Sequence, residues 1–497
     1  MTEPTPKADR PNIIFVITDQ QRFDTIAAGG ASWMHTPVLD RMAREGVLFS
    51  RMYCTSPSCA PSRASLFSGT YPHTNGVMRN DEPWAFSWVQ MLSASGYRCV
   101  NVGKMHTHPF EDAFGFHERH VVENKDRATR RLPFYLDQWD KAFWARGLEK
   151  PSRITYRRRA DYAERLGAFA WELPADLHSD NFVPDMARMW LDACEAAEPF
   201  FLQIGIPGPH PPYDPTPEAL ALYDDAEPPR PIRDDEPLPA PLRALRQSHL
   251  DVDHDAIVHL ENPSHAQLMR QRRHYAANVS MIDASIGRLL ETLDERGLTD
   301  NTVVIFTSDH GDSLNDHGLS QKWSMYEHSV RVPALVWAPG LISGGRVVDD
   351  LVSLFDFGPT ILDLAGVPVP EWMEARSLAP VLAGEETEPR RYIFAEHAGD
   401  RILNGTAYMT MVRDDRFKLV HFAEHPGQLF DLDADPDERR NLWDDPVYQA
   451  DKARLLQAIL DWRIESGLRT QGWTAAAIRH GPGAGRTPPG SARQAGA

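Results

Sequence analysis

Cys59 opens the run Cys59-Ala60-Pro61-Ser62-Arg63, with a proline two residues on and an arginine four residues on. A lone cysteine is usually a small buried apolar residue, so its neighbours and the rest of the chain decide whether this one reacts. Two carboxylates stand in chemically suggestive places. Thr18-Asp19-Gln20 follows the apolar run from Asn12 to Thr18, and Ser308-Asp309-His310-Gly311-Asp312 follows the run from Thr302 to Phe306. Both carboxylates are then expected at the carboxyl ends of strands, where α/β folds place their sites. Aspartate and amide oxygens are ligands for a hard divalent cation, and Asp19, Gln20, Asp309 and His310 form a candidate set. Gly103-Lys104-Met105-His106 and Pro209-His210-Pro211-Pro212 also follow strand-like runs, and Lys322 lies in Lys322-Trp323-Ser324-Met325-Tyr326-Glu327. Lysines suit the nonbridging oxygens of an anionic ester, and histidines suit proton transfer near neutral pH. In a chain with 20 histidines, any one of these residues alone reads as a solvated surface group. The information is in their conjunction.

That conjunction resembles the type I, formylglycine-dependent sulfatases of the alkaline phosphatase superfamily. The matching elements are C-x-P-S-R with Gly69 and Pro72 beyond it, G-K-M-H, P-H-P-P, S-D-H-G-D and K-x-x-x-Y-E, all in family order over residues 11 to 340. Leu429-Phe430-Asp431-Leu432 with Asp435-Pro436 and Asn441-Leu442 extends the likeness toward the C-terminus. The resemblance implies that a formylglycine-generating enzyme oxidises Cys59 to formylglycine. The hydrated aldehyde then supplies a nucleophilic hydroxyl and can expel sulfate by collapsing back. It implies a divalent metal, calcium by family frequency, on Asp19, Gln20, Asp309, His310 and an oxygen of the modified Cys59. Manganese is the alternative, because imidazole suits it better. Arg63 is expected to hold the nucleophile and ligands in place, with Asp309 accepting its proton. His210 would protonate the leaving oxygen, and His106 would remove the second proton. Asn80, Lys104, His210 and Lys322 are the expected substrate contacts. The Asp-Gln and Asp-His pairs look like those of choline sulfatases and phosphonate monoester hydrolases. The usual L-T-G-R after the signature is here Phe67-Ser68-Gly69-Thr70.

Apolar β-branched runs alternating with helical patterns predict an α/β protein with a large mixed, mostly parallel sheet. The resemblance adds an alkaline phosphatase-like arrangement of flanking helices. Tyr275, Val279, Ile282, Ile286, Leu289 and Leu293 form one apolar stripe, predicting a helix from Ser264 to Gly297. Thr36 and Pro37 predict a helix start, with Thr36 as cap. Residues 1–385 are expected to form the catalytic domain. Residues 386–497 would form a smaller subdomain of antiparallel strands, a helix from about Val447 to Ile464, and a flexible tail from Thr470. Residues 126–180 and the Pro-rich 213–263 read as surface excursions or lids.

The chain has 497 residues, net charge −18 and four cysteines. The acidic balance argues against nucleic-acid or anionic-membrane binding. No run is long enough for a membrane span or a signal segment, and four cysteines do not make a disulfide framework, so a cytoplasmic protein is expected. The partners implied are a small sulfate ester, the formylglycine-generating enzyme, and further copies of the chain in a homo-oligomer. Two other readings stay open. One is a phosphonate monoester or phosphodiester hydrolase on the same scaffold, whose members carry Tyr and Thr where this chain has Lys104 and His106. The other is a binding protein with unmodified Cys59.

Overall fold

The computed structural model describes residues 10–80, 82–109, 111–123, 136–195, 198–251, 260–398 and 408–480, without the side chains of residues 153, 154 and 473–480. The strands of the N-terminal part are β1 (Asn12–Asp19), β2 (Val47–Phe49), β3 (Met52–Tyr53), β4 (Arg98–Gly103), β5 (Glu118–Val121), β6 (Phe200–Pro209), β7 (Thr302–Ser308), β8 (Arg331–Val332), β9 (Ala334–Trp337), β10 (Arg346–Val348) and β11 (Val352–Ser353). Eight of them form one sheet in the order β10-β2-β9-β7-β1-β6-β4-β5, and β11-β3-β8 form a small second sheet. In the large sheet β5, β4, β6, β1 and β7 run parallel, and β9 is antiparallel to β7 and β2.

β1 takes the centre because it is apolar on both faces. Ile13, Phe15 and Ile17 enter one core cluster and Ile14 and Val16 the other, as a period of two on a doubly covered strand requires. Cutting Phe15 back to alanine would cost about 3–5 kcal/mol. The parallel neighbours bring four strand ends side by side: Ser308 of β7, Asp19 of β1, Pro209 of β6 and Gly103 of β4.

The striped segment is the helix His265–Glu295. Ser264 and Gln267 cap it reciprocally, and Gly297 beyond it has φ +64°. Thr36 does not cap the helix Pro37–Glu45 as expected. Asp283 of the long helix accepts from Val38 N (3.2 Å) and Leu39 N (2.8 Å), while Thr36 Oγ1 donates to Asp40 Oδ1. A carboxylate is the stronger acceptor for those orphan amides.

Beyond them, β12 (Ile393–Ala398), β13 (Tyr408–Arg413), β14 (Phe417–Phe422) and β15 (His425–Asp431) form an antiparallel sheet in chain order. The helix Gln449–His480 packs on it through Leu455 and Trp462. This helix is longer than expected, so residues 470–480 of the predicted flexible tail are helical, which the good helix formers Ala475, Ala476 and Ala477 favour. Residues 481–497 lie outside the described residues. So do residues 126–135 and 252–259 of the two excursions. The Pro-rich excursion is fastened down rather than loose: Ile232 N donates to Asp316 Oδ1 (2.8 Å) and Arg233 Nη1 to Asn315 O (2.8 Å). Among the described residues, no helix is long and apolar enough to cross a membrane.

Candidate active site

Cys59 is the first residue of the helix Cys59–Ser68, every residue of which is buried. Ser58, in extended conformation before it, makes no cap bond. Asn80 does so instead, its Oδ1 accepting from Ala60 N at 3.1 Å. Pro61 sits in the first turn, where its missing N–H costs nothing. The helix N-terminus therefore points positive potential at position 59.

One turn along, Arg63 ties the strand ends together. It is wholly buried. Its Nε donates to Asp309 Oδ2 (2.7 Å), Nη1 to Lys104 O (2.9 Å) and Nη2 to Thr18 O (3.4 Å). Lys104 Nζ donates to Asp19 Oδ2. Lys322 Nζ donates to Cys59 Sγ at 2.8 Å and lies 3.4 Å from His310 Nε2. His310 Nδ1 is placed to donate to Gly311 O (2.9 Å), which turns Nε2 toward Cys59 Sγ at 3.3 Å. Gly311 is needed here because a Cβ would stand 1.9 Å from His328 O.

The ligand atoms of Asp19, Cys59, Asp309 and His310 all lie within 4.8 Å of one another. Gln20 follows Asp19 directly. Its backbone has φ 71° and its N donates to Asp309 Oδ1 (3.0 Å). Its Nε2 donates to Asp312 Oδ2 (2.7 Å), leaving Oε1 buried and without a hydrogen-bond partner. An orphaned buried amide oxygen calls for an explanation. Two carboxylates, that oxygen and an imidazole nitrogen fit a divalent cation.

Burial opposes ionisation of the Cys59 thiol, as does Asp19, but Lys104, Lys322 and His310 outweigh them and draw its pKa below the ordinary value. Asp19 is likewise held well below the carboxylate range, because Lys104, Lys322, His210 and His310 overcome its burial. His210 goes the other way: burial and then Lys322 and Lys104 push it well below the usual imidazole value, against Asp19. Its Nδ1 lies 2.7 Å from Pro211 O as a donor, so Nε2 is bare in the neutral ring. Burial lowers His310, but Asp309 and Cys59 raise it more, and its pKa lies above the ordinary value.

The predicted residues thus divide into groups. Asp19, Gln20, Cys59, Arg63, Lys104, Asp309, His310 and Lys322 form one buried network, with His210 in electrostatic reach of it. Asn80 caps the Cys59 helix. His106 lies at the edge, 9% exposed at φ 63°, its N donating to Glu123 Oε2 (3.0 Å). Sequence reasoning missed three contributors. Asp312 Oδ2 accepts from Tyr213 OH (2.6 Å) as well as from Gln20, and its Oδ1 accepts from Leu314 N (2.9 Å). Asp312 closes the quoted S-D-H-G-D run and Tyr213 directly follows P-H-P-P, which was the available signal. His397, on β12, is wholly buried, and its pKa falls to about 3 through burial and then the nearby His310 and Lys322. Nothing in its sequence neighbourhood marks it, because a distant sheet delivers it.

The Sulfatase family model matches residues 11–367, and the model described as N-sulphoglucosamine sulphohydrolase, C-terminal, matches residues 315–465. An arylsulfatase of Clostridium perfringens is 30% identical over 480 residues, covering 94% of this chain and 96% of its own. A choline-sulfatase of Rhizobium meliloti is 30% identical over 459 residues, covering 90% and 85%. Among solved structures, a phosphonate monoester hydrolase from Silicibacter pomeroyi superposes with TM-score 0.76 at 26% identity, over 92% of this chain and 96% of that one.

Proposed function

The chain belongs to the sulfatase family and is a sulfuric ester hydrolase, and we propose that it works through a formylglycine made from Cys59. The single observation that carries this reading is the setting of Cys59: at a helix N-terminus, 2.8 Å from Lys322 Nζ and 3.3 Å from His310 Nε2. A hydrated formylglycine there supplies both a hydroxyl nucleophile and an exit route for sulfate. Cys59 is only 2% exposed, so the generating enzyme must reach it before the fold closes. Asp19, Gln20, Asp309 and His310 would hold the divalent cation, which supplies charge to offset the anionic ester. Calcium is the family expectation, and the His310 nitrogen supports manganese as the alternative.

The chain's own residues do the rest. Lys104 and Lys322 take the nonbridging oxygens of the ester, and Asn80, already spending Oδ1 on Ala60 N, has its amide N–H groups for the same oxygens. Arg63 holds Asp309 at Oδ2, so Oδ1, which also takes Gln20 N, is the oxygen left to accept the nucleophile's proton. His210 is neutral before substrate arrives. Burial and then Lys322 and Lys104 depress its pKa; the negative charge of a bound sulfate ester opposes the two lysine charges and so favours the protonated ring that would donate from Nε2 to the leaving oxygen. His106 stands as the second proton acceptor. The four cysteines are unpaired, which supports a reducing, cytoplasmic address and a small ester as substrate.

A second reading, phosphonate monoester hydrolysis, is favoured by the Gln20 and His310 ligand pair and by the structural likeness to such an enzyme. Lys104, paired with Asp19, adds positive charge that favours the sulfate reading. A panel of nitrophenyl sulfate, choline sulfate, a sulfated sugar and a phosphonate monoester tests both. The highest kcat/KM is expected on a sulfate ester; turnover of the phosphonate alone would overturn that assignment.

A further inference from the structure

The C-terminal run from Leu429 to Leu442 takes no part in the steps assigned to the active site, yet it touches the segment that carries Lys322. Lys322 Nζ stands 2.8 Å from Cys59 Sγ, and its own segment is poorly made to keep it there. Residues 319–326 are neither helix nor strand. Gln321 and Trp323, on either side of Lys322, lie in the left-handed region at φ 57° and 71°, where residues with a side chain rarely rest unless their surroundings impose it. Ser313 N donates to Gln321 O (2.5 Å) and Trp323 N to Pro57 O (3.2 Å). The remaining hold comes from the C-terminal sheet.

Tyr326 OH accepts from Gln428 Nε2 of β15 (3.0 Å) and its ring lies 5.9 Å from that of Phe430. Glu327 is the centre of a buried ion bridge. Its N donates to Glu438 Oε2 (2.7 Å), and its Oε1 accepts from Lys418 Nζ of β14 (3.1 Å). Lys418 also pairs with Glu438 Oε1, and Tyr53 OH donates to Glu327 Oε2 (2.7 Å). Burial pushes the Glu327 pKa up, but Lys418, Arg413 and Arg331 hold it down at about 2, so the bridge is charged. The C-terminal run aims Glu438 at it. Glu438 sits at φ 55° with its N donating to Asp435 O (3.1 Å), and Asn441 Oδ1 ties the turn back to Leu429 N (3.0 Å). Apolar residues of the same volume would stabilise such a junction as well as buried ions do. What the ions add is one fixed arrangement of the groups they join.

We propose that Glu438, Lys418 and Gln428 are positioning residues: through Glu327 and Tyr326 they fix the segment that holds Lys322 Nζ against position 59. The task given to Lys322 rests on the sulfatase reading above; the bridge does not.

The experiment measures kcat/KM for nitrophenyl sulfate, and sodium sulfate binding by calorimetry, on the full chain and on its Lys322→Ala form. In Glu438→Gln the one remaining oxygen keeps Glu327 N, and the amide NH2 then faces the Lys418 ammonium, donor against donor. A misplacement of about 1 Å costs on the order of a hundredfold in rate, so a loss of about ten- to a hundredfold in kcat/KM is expected, with weaker sulfate binding and a cooperative melting transition. In the Lys322→Ala chain the same substitution should cost about twofold or less, because the group it positions is gone. Gln428→Leu removes one neutral hydrogen bond, should follow the same pattern at about threefold, and decides the matter if Glu438→Gln does not fold. Equal losses in both backgrounds, or a folded Glu438→Gln chain with unchanged kcat/KM, overturn the proposal. Failure of the sulfatase reading would show separately, as no hydrolysis by the unsubstituted chain while sulfate binding depends on Glu438 only when Lys322 is present.

Discussion

Replacing Asp312 by asparagine should weaken cation binding at the proposed site without unfolding the protein. Asp312 accepts three hydrogen bonds: Gln20 Nε2 (2.7 Å) and Tyr213 OH (2.6 Å) on Oδ2, and Leu314 N (2.9 Å) on Oδ1. In the variant the one remaining oxygen is needed by Leu314 N, so an NH2 group faces Gln20 and Tyr213. Donor then meets donor at Gln20 Nε2. The simplest relief is a flip of the Gln20 amide, which puts Nε2 where the orphaned Oε1 stood and removes that oxygen from the proposed ligand set. Losing such an orienting partner costs about 10–100-fold in metal affinity, or roughly 1.4–2.8 kcal/mol. Tyr213→Phe deletes only one donor and leaves the Gln20 bond, so its loss should be about threefold or less. The assay is titration of metal-stripped protein with manganese and with calcium, alongside metal content after dialysis. Unchanged affinity in a folded Asp312→Asn protein would refute the claim that Gln20 Oε1 is a ligand oriented by Asp312.

Cys59→Ala should abolish turnover while leaving the melting transition within a few degrees, since the side chain is small; more than background activity in purified protein would remove Cys59 from the chemistry. His210→Ala should harm alkyl sulfates about a hundredfold or more and activated aryl sulfates far less, read as kcat/KM across a leaving-group series; equal losses would leave His210 as a positioning residue. Asp283 is pushed up to about 7 by burial, against the amides of Leu39 and Val38. The folded state therefore holds its proton more tightly than the unfolded one, and this contribution to stability is full below about pH 4 and fades as pH rises to about 7. Asp283→Asn should flatten denaturant-measured stability across that window, and an unchanged slope would exclude Asp283 as its source.

The amino-acid sequence determined the local chemistry. The doubly apolar run of β1, the stripe on the helix His265–Glu295 and the short motifs at strand ends are statements about neighbours along the chain. Parallel pairing then puts those strand ends in one row, so Asp19, Lys104, His210 and Asp309 could be expected to meet. What tertiary structure alone decided is how groups far apart in sequence face one another. Tyr213 and Asp312 are 99 residues apart and share one hydrogen bond. His397 comes from a sheet that closes on the site only after 337 further residues of chain have followed Cys59. Asp283, not the adjacent Thr36, caps the helix Pro37–Glu45. Which protonation state His210 rests in was equally beyond the sequence, because burial and the two lysine charges that set it exist only once the strands have packed and water has been excluded.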